Sequence, residues 1–365
     1  MAQVLIIGAG LNGLSAAHAA WKQGHQVTVI EQFALGHTLG SSHGESRIIR
    51  YSYDSPEYVR LAKRAYTLWH ELEDLLSLQI IHPAGGIDLA PSDHPSLKQH
   101  MDALAAEGID FELLDSQAAR ERFPQFHIPE NESVLYQKDA GILKPDEVLP
   151  ALASFLRGQG VSIQEHTPVQ SISNGKVHTE RWTYTPDHIM VCAGAWINRL
   201  IPEPLPLQIT EEQLGYFAVP DERFHHPNMP VFIDLARGPY GFPQLDKPGV
   251  KLGLHHHGPT VIPENRTFAH QPDKTRYLAD WMATFMPEVS PVPLETITCL
   301  YTNTPDENFV VQQVSGQMVV VSACSGHGFK FGPATGELAL TRLMDQPEPF
   351  EGHFYSSSIT KFRNS

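Results

Sequence analysis

The sequence predicts an α/β protein in two parts: a dinucleotide-binding fold assembled from separated stretches of chain, and an α+β part built on a mainly antiparallel sheet. Three observations carry this. An apolar run near the N-terminus leads into glycines at G-x-G-x-x-G spacing and then a helix of small residues. From residue 213 to 299 short apolar runs alternate with turns, as an antiparallel sheet requires. Between these patterns Pro202, Pro204 and Pro206 make a stiff crossing where the composition shifts.

Val4, Leu5, Ile6 and Ile7 read as a strand buried on both faces. It runs into Gly8, Gly10 and Gly13, which permit a tight turn and let a pyrophosphate sit on the amide end of the next helix. Ala16, Ala17, Ala19 and Ala20 let that helix lie close to the sheet, and Lys22 and Gly24 are its stop signals. A second strand, 26–30, closes on Glu31, whose carboxylate can accept hydrogen bonds from ribose hydroxyls. The acid argues against NADP, while the motif leaves NAD and FAD both open.

The polar stretch 36–50 reads as a loop. Ser55 as N-cap and Pro56 as first residue predict a helix to about residue 78. A strand (86–90), a helix (95–107) and a strand (109–113) then read as an insertion, followed by a helix (145–158) and a strand (161–165). Asn174-Gly175 is a hairpin turn between strands 169–172 and 176–184. A strand at 188–192 enters a short helix, a helix at 273–285 interrupts the antiparallel region, and a strand (318–323) and helix (334–344) follow. On this reading the dinucleotide-binding domain comprises 1–84, 142–208 and 305–365, and the substrate domain 85–141 and 209–304.

With 365 residues, 41% of them hydrophobic, the chain can bury a sizeable core. Its net charge of −15 argues against nucleic acid or an anionic membrane as partner. Cys192, Cys299 and Cys324 stand far apart with no C-x-x-C pair, so neither zinc nor a disulfide framework is indicated. His255, His256 and His257 on a strand would alternate faces and could not all bind one ion, so no metal is expected. Without a basic leader or a membrane-length apolar run, a cytoplasmic protein is expected.

Three further segments, GSSHGESRIIR at 40–50, CLYTNTPDENF at 299–309 and CSGHGFKF at 324–331, carry a resemblance. Together with the N-terminal fingerprint they resemble the monomeric sarcosine oxidase family, which includes N-methyltryptophan oxidase and relatives acting on pipecolate or fructosyl amino acids. The resemblance covers nearly the whole chain. It implies a discontinuous Rossmann-like FAD-binding domain and resolves the cofactor as FAD. The cofactor contacts it implies are Gly8, Gly10, Leu11, Asn12, Gly13, Glu31, Ser41, Ser42, His43, Arg47, Val169, Cys299, Gly326, Gly328, Phe329 and Lys330.

Cys299 matches the cysteine that the family joins covalently to the flavin; Cys192 and Cys324 read as packing residues. Arg50, Tyr301 and Lys330 match the residues that contact the substrate carboxylate, with a structural ion pair as the rival role for Arg50. Arg47 matches an arginine beside the flavin, Lys251 a lysine that promotes oxygen reduction, and His255 a histidine lining the substrate cavity; Tyr240 completes the catalytic set. The chain departs from the family at Leu254, where an aromatic is usual, and in the run of histidines. The implied activity is oxidation of a small secondary or N-methylated amino acid to an imine, with oxygen reduced to hydrogen peroxide, in a monomer. Alternatives are an oxidase of a cyclic or glycated amino acid (pipecolate, proline), a flavin dehydrogenase with another acceptor, and a nucleotide-binding protein without redox turnover.

Overall fold

The computed structural model describes residues 1–350; the last part of the expected 305–365 segment, 351–365, lies outside the described residues. The fingerprint strand Gln3–Ile7 is central in a six-stranded sheet. Gln26–Ile30 and Ser162–Gln164 lie parallel to one side of it, and His188–Val191 and Met318–Ser322 parallel to the other; only the edge strand Val310–Ser315 is antiparallel. All four residues Val4 to Ile7 are buried, as a strand covered on both faces requires.

Two helices seal one face of this sheet, Leu11–Lys22 and Gly332–Leu343. They touch closely because the second presents glycines to the first. A Cβ on Gly332 would lie 2.5 Å from Leu11 Cγ, and one on Gly336 2.5 Å from the Ser15 carbonyl carbon. The ends of the chain thus pack as one layer. Helix Pro56–Leu76 runs alongside, its N-terminus capped by Ser55 and its C-terminus closed by Ser77 in a left-handed conformation.

An eight-stranded sheet forms the other half, in the order Pro293–Asn303, Gln208–Phe217, Val250–Leu254, Pro239–Phe242, Val231–Asp234, Gly86–Pro91, Glu132–Gln137, Glu112–Asp115. Every neighbouring pair is antiparallel except Val231–Asp234 with Gly86–Pro91. Helix Pro272–Phe285 covers it through Leu278, Trp281, Met282 and Phe285. The Asn174-Gly175 turn does join antiparallel strands, with positive φ at both residues.

The structure departs from the sequence reading at four places. The strand expected at 109–113 is Glu112–Asp115 and leads into an unforeseen helix, Ser116–Arg122, capped by Asp115. The stretch 176–184 is two short strands rather than one. Within the segment read as a loop, Arg47–Ile49 is a strand of a three-stranded sheet with Ile81–Pro83 and Gly141–Leu143. Last, Val250–Leu254 ends before the histidines, so strand alternation does not govern them. Among the described residues no helix is long and apolar enough to cross a membrane.

Candidate active site

One cavity of about 1300 Å³ runs from the glycine turn to the antiparallel sheet. Its first end is made of backbone. Gly8 has φ +102°, a Cβ there would lie 2.5 Å from the Cys192 carbonyl oxygen, and one on Gly13 would lie 1.8 Å from the Gly8 oxygen. Those two glycines let strand and helix approach, and Gly10 faces the cavity beside Ser42. Glu31 accepts hydrogen bonds from the amides of Ala9 (2.7 Å) and Phe33 (2.9 Å), which fixes its carboxylate at the cavity wall. Thr335 donates to Asn12, tying the second helix to the first turn.

Residues 40–50 stitch this end to the other. Ser42 Oγ accepts from the Leu11 amide (3.1 Å), and Ser41 Oγ donates to the Leu300 carbonyl (2.6 Å), next to Cys299. Arg47 folds its guanidinium onto the carbonyls of Ser41, His43 and Ser46 and lies 5.7 Å from the Phe329 ring centroid. Burial, with Arg47 second, pushes the His43 imidazole down to about 4, so His43 is neutral.

The far end is built from side chains. Period-two alternation along Pro293–Asn303 places Cys299 and Tyr301 on one face, clustered with Leu214. Tyr240 meets Tyr301 hydroxyl to hydroxyl at 3.2 Å, and Gly253 leaves room for its ring. Burial raises the Cys299 thiol to about 11, opposed by Arg47. Cys192, also buried, and Cys324, half-buried, line the cavity too, so burial and position do not single out Cys299.

Two cations stand beyond these tyrosines. Lys330, in the turn Phe329–Phe331, is 6% exposed and donates to the Tyr53 hydroxyl and the His327 carbonyl, both at 2.8 Å. Burial, followed by Arg50, holds its pKa well below the usual ammonium value. Arg50 bonds to buried Asp88, which also accepts from Ser52 Oγ, and Arg50 Nε has no partner. The ion pair that rivals a substrate role for Arg50 therefore exists, and the residue also lines the cavity. His255 lines the same wall with its pKa pushed far down, by burial first and then by His256.

Of the expected site residues, Gly13, His43 and Lys251 do not line the cavity. Gly13 is a packing glycine. Lys251 is 2% exposed and sits behind the wall, donating to Ser46 Oγ (3.0 Å) and the Ser46 carbonyl (3.2 Å). Burial, then Arg47, lowers its pKa to about 7. Sequence reasoning missed Tyr53, Asp88 and Ser46. Asp88 carried a signal, a lone acid inside the apolar run GIDLA, which implies a buried cation partner.

A glycine turn opening into a cavity of this length, with a fixed acid at one end and buried cations at the other, fits FAD and defines a flavin-dependent oxidoreductase. The family profile described as DAO, FAD dependent oxidoreductase, matches residues 3–342. A monomeric sarcosine oxidase of Streptomyces avermitilis is 33% identical over 94% of this chain and 95% of its own length. The N-methyl-L-tryptophan oxidase of Yersinia pestis is 29% identical over 99% of both. The fold of a solved L-proline dehydrogenase from P. horikoshii superposes with a TM-score of 0.83 at 22% identity, covering 95% of each chain. The chain thus belongs to the FAD-dependent oxidoreductase (DAO) family, in its monomeric sarcosine oxidase branch.

Proposed function

We propose that the chain is an amine oxidase that oxidises a small secondary or N-methylated amino acid, sarcosine-like, at the carbon beside nitrogen. The observation that carries this is Lys330: a buried amine whose two hydrogen-bond partners are neutral oxygens, at the cavity wall with Arg50. Burying a cation without a counter-charge costs several kcal/mol, and a substrate carboxylate between Lys330 and Arg50 offsets it. Tyr301 supplies a third donor. The carboxylate so held fixes the neighbouring carbon and nitrogen beneath Tyr240 and His255, and the surrounding cations lower the amine pKa so that its lone pair is available.

FAD bound in the cavity supplies the two-electron acceptor. Arg47 would place positive charge beside a bound flavin, and Lys251 behind it, able to gain a proton near neutral pH, would supply charge for oxygen reduction to peroxide. The imine released is hydrolysed, giving an amino acid and formaldehyde from an N-methyl substrate. We further propose that Cys299 holds the flavin covalently, that the domains divide at 1–84, 142–208 and 305–365 against 85–141 and 209–304, and that the protein is monomeric and cytoplasmic.

A second reading, a dehydrogenase passing electrons to another carrier, is favoured by the position of Lys251 outside the cavity lining. Rapid mixing of the purified protein with sarcosine, proline, pipecolate and N-methyl aromatic amino acids tests the substrate. Bleaching of the flavin by at least one of them is expected; bleaching by none rejects the reading. Peroxide formed per substrate consumed is expected to be one, and a value near zero selects the dehydrogenase. Yellow colour that survives acid precipitation and disappears from the precipitate in Cys299→Ser supports the covalent link.

A further inference from the structure

The histidines that alternation would scatter are gathered by a turn. Strand Val250–Leu254 ends and His256 takes a left-handed conformation, φ 56°, a region that residues other than glycine seldom adopt. The His255 and His256 rings then stand 4.0 Å apart between centroids at 58°. Across from them Glu307, also left-handed at φ 59°, brings its carboxylate within 3.4 Å of His256 Nε2. One nitrogen from each histidine and one oxygen of Glu307 all lie within 4.8 Å of one another.

Both backbones are pinned. The His255 amide donates to the Gly238 carbonyl, and the amides of His257 and Gly258 donate to the Glu212 carboxylate at 3.2 and 2.7 Å. On the other side the Glu307 amide donates to the Thr304 carbonyl, and His327 bonds the Glu307 carbonyl at 3.1 Å. Hydrogen bonds on both sides hold the two left-handed residues in place. His256 Nε2 is buried and makes no hydrogen bond of good geometry; its neighbour is the Glu307 carboxylate at 3.4 Å, where a protonated imidazole would form an ion pair and a neutral one can share an ion with it.

We propose that His255, His256 and Glu307 form a three-ligand transition-metal site of the zinc type at the lip of the substrate cavity, filled in competition with substrate. Two imidazoles and one carboxylate with a fourth position open are a ligand set that suits zinc, copper or nickel and not magnesium or calcium. Metal–ligand bonds of about 2.0–2.2 Å put ligand atoms roughly 3.3 Å apart. His256 and Glu307 already meet that spacing, and a small turn of the His255 ring completes it. Glu307 is exposed and His255 faces the cavity, so an ion entering from solvent caps the mouth and withdraws His255 from the wall. Lys330 and Arg50 face the site from within and oppose a dication; substrate, which neutralises them, occupies the same space.

Binding does not depend on the substrate reading, whereas competition does, so the test keeps the two apart. Cobalt(II) titrated into the flavin-loaded enzyme is expected to give d–d bands at wavelengths beyond the flavin absorption, of the intensity of a four- or five-coordinate ion. Zinc is expected to raise the KM for the amino acid about tenfold at ten times its Kd and leave kcat unchanged, the mass-action result for mutually exclusive ligands. His256→Asn, which tolerates the left-handed turn, and Glu307→Gln are each expected to abolish the bands and the inhibition while the flavin spectrum and zinc-free kcat persist. Absence of cobalt bands and of a calorimetric zinc isotherm in the unmodified enzyme overturns the proposal. So does metal binding that survives both substitutions.

Discussion

The two ends of the cavity are built by opposite means. The glycine end is lined by main-chain amides and a helix terminus, arranged by sequence neighbours and made possible by side chains that are missing. The far end is lined by Lys330, Arg50, Tyr301 and Tyr240, delivered by four separate segments, with Lys330 and Tyr301 buried and Arg50 and Tyr240 half-buried. Backbone sites are rigid and cost little; buried charges are expensive and respond to what is bound. The first end suits a permanent cofactor and the second a passing anion.

Gly13→Ala strikes the backbone end hardest. With a Cβ 1.8 Å from the Gly8 oxygen, strand and helix must separate, and flavin-free protein is expected; a yellow product with normal flavin content would show that the turn has slack. Lys251→Met separates oxygen chemistry from substrate binding. It is expected to slow flavin reoxidation by about 10²–10³-fold, the usual cost of one preorganised charge, with the bleaching step little changed, both read by stopped flow. Lys330→Gln takes a charge from the far end and should lower kcat/KM on the order of 10²-fold through KM, measured with the best amino acid found.

Asp88→Asn probes the same end through a positioning residue. It should cost about tenfold, and an enzyme that bound the carboxylate more tightly instead would mean that Asp88 competes with substrate for Arg50. A further effect, outside turnover, is on stability. The native state prefers neutral Lys251 below its ordinary value of 10.5, so between pH 7 and 10.5 the unfolded chain binds more protons. Stability from this group therefore rises with pH across that window, and below about pH 7 the full penalty remains. In flavin-free protein Lys251→Met should gain a few kcal/mol at neutral pH, a gain that shrinks toward pH 10, read from urea midpoints.

The comparison also explains what could be read in advance. Val4 to Glu31 was legible because its function lies in spacing along one stretch: strand, glycines, helix, strand and acid follow in order. The antiparallel region was legible from alternation, though not the strand order that sets Tyr240 against Tyr301. Arg47–Ile49 was hidden because a three-residue strand has no period of its own and forms only by pairing with Gly141–Leu143. The partners of Lys251 and Arg50 were hidden for a related reason. Ser46 and Asp88 are ordinary residues until tertiary structure brings a buried cation to them. The histidine run lies beyond the strand on which its alternation would rest, because the strand stops at Leu254 and the chain turns left-handed at His256.

Residues 40–50 touch everything that matters: the first helix turn through Ser42, the strand of Cys299 through Ser41, Lys251 through Ser46, and the Asp88 pair through Arg50. A change anywhere in this segment therefore bears on both ends of the cavity at once: a substitution at Ser41 or Ser46 is felt by the strand of Cys299 or by Lys251 without touching the glycines.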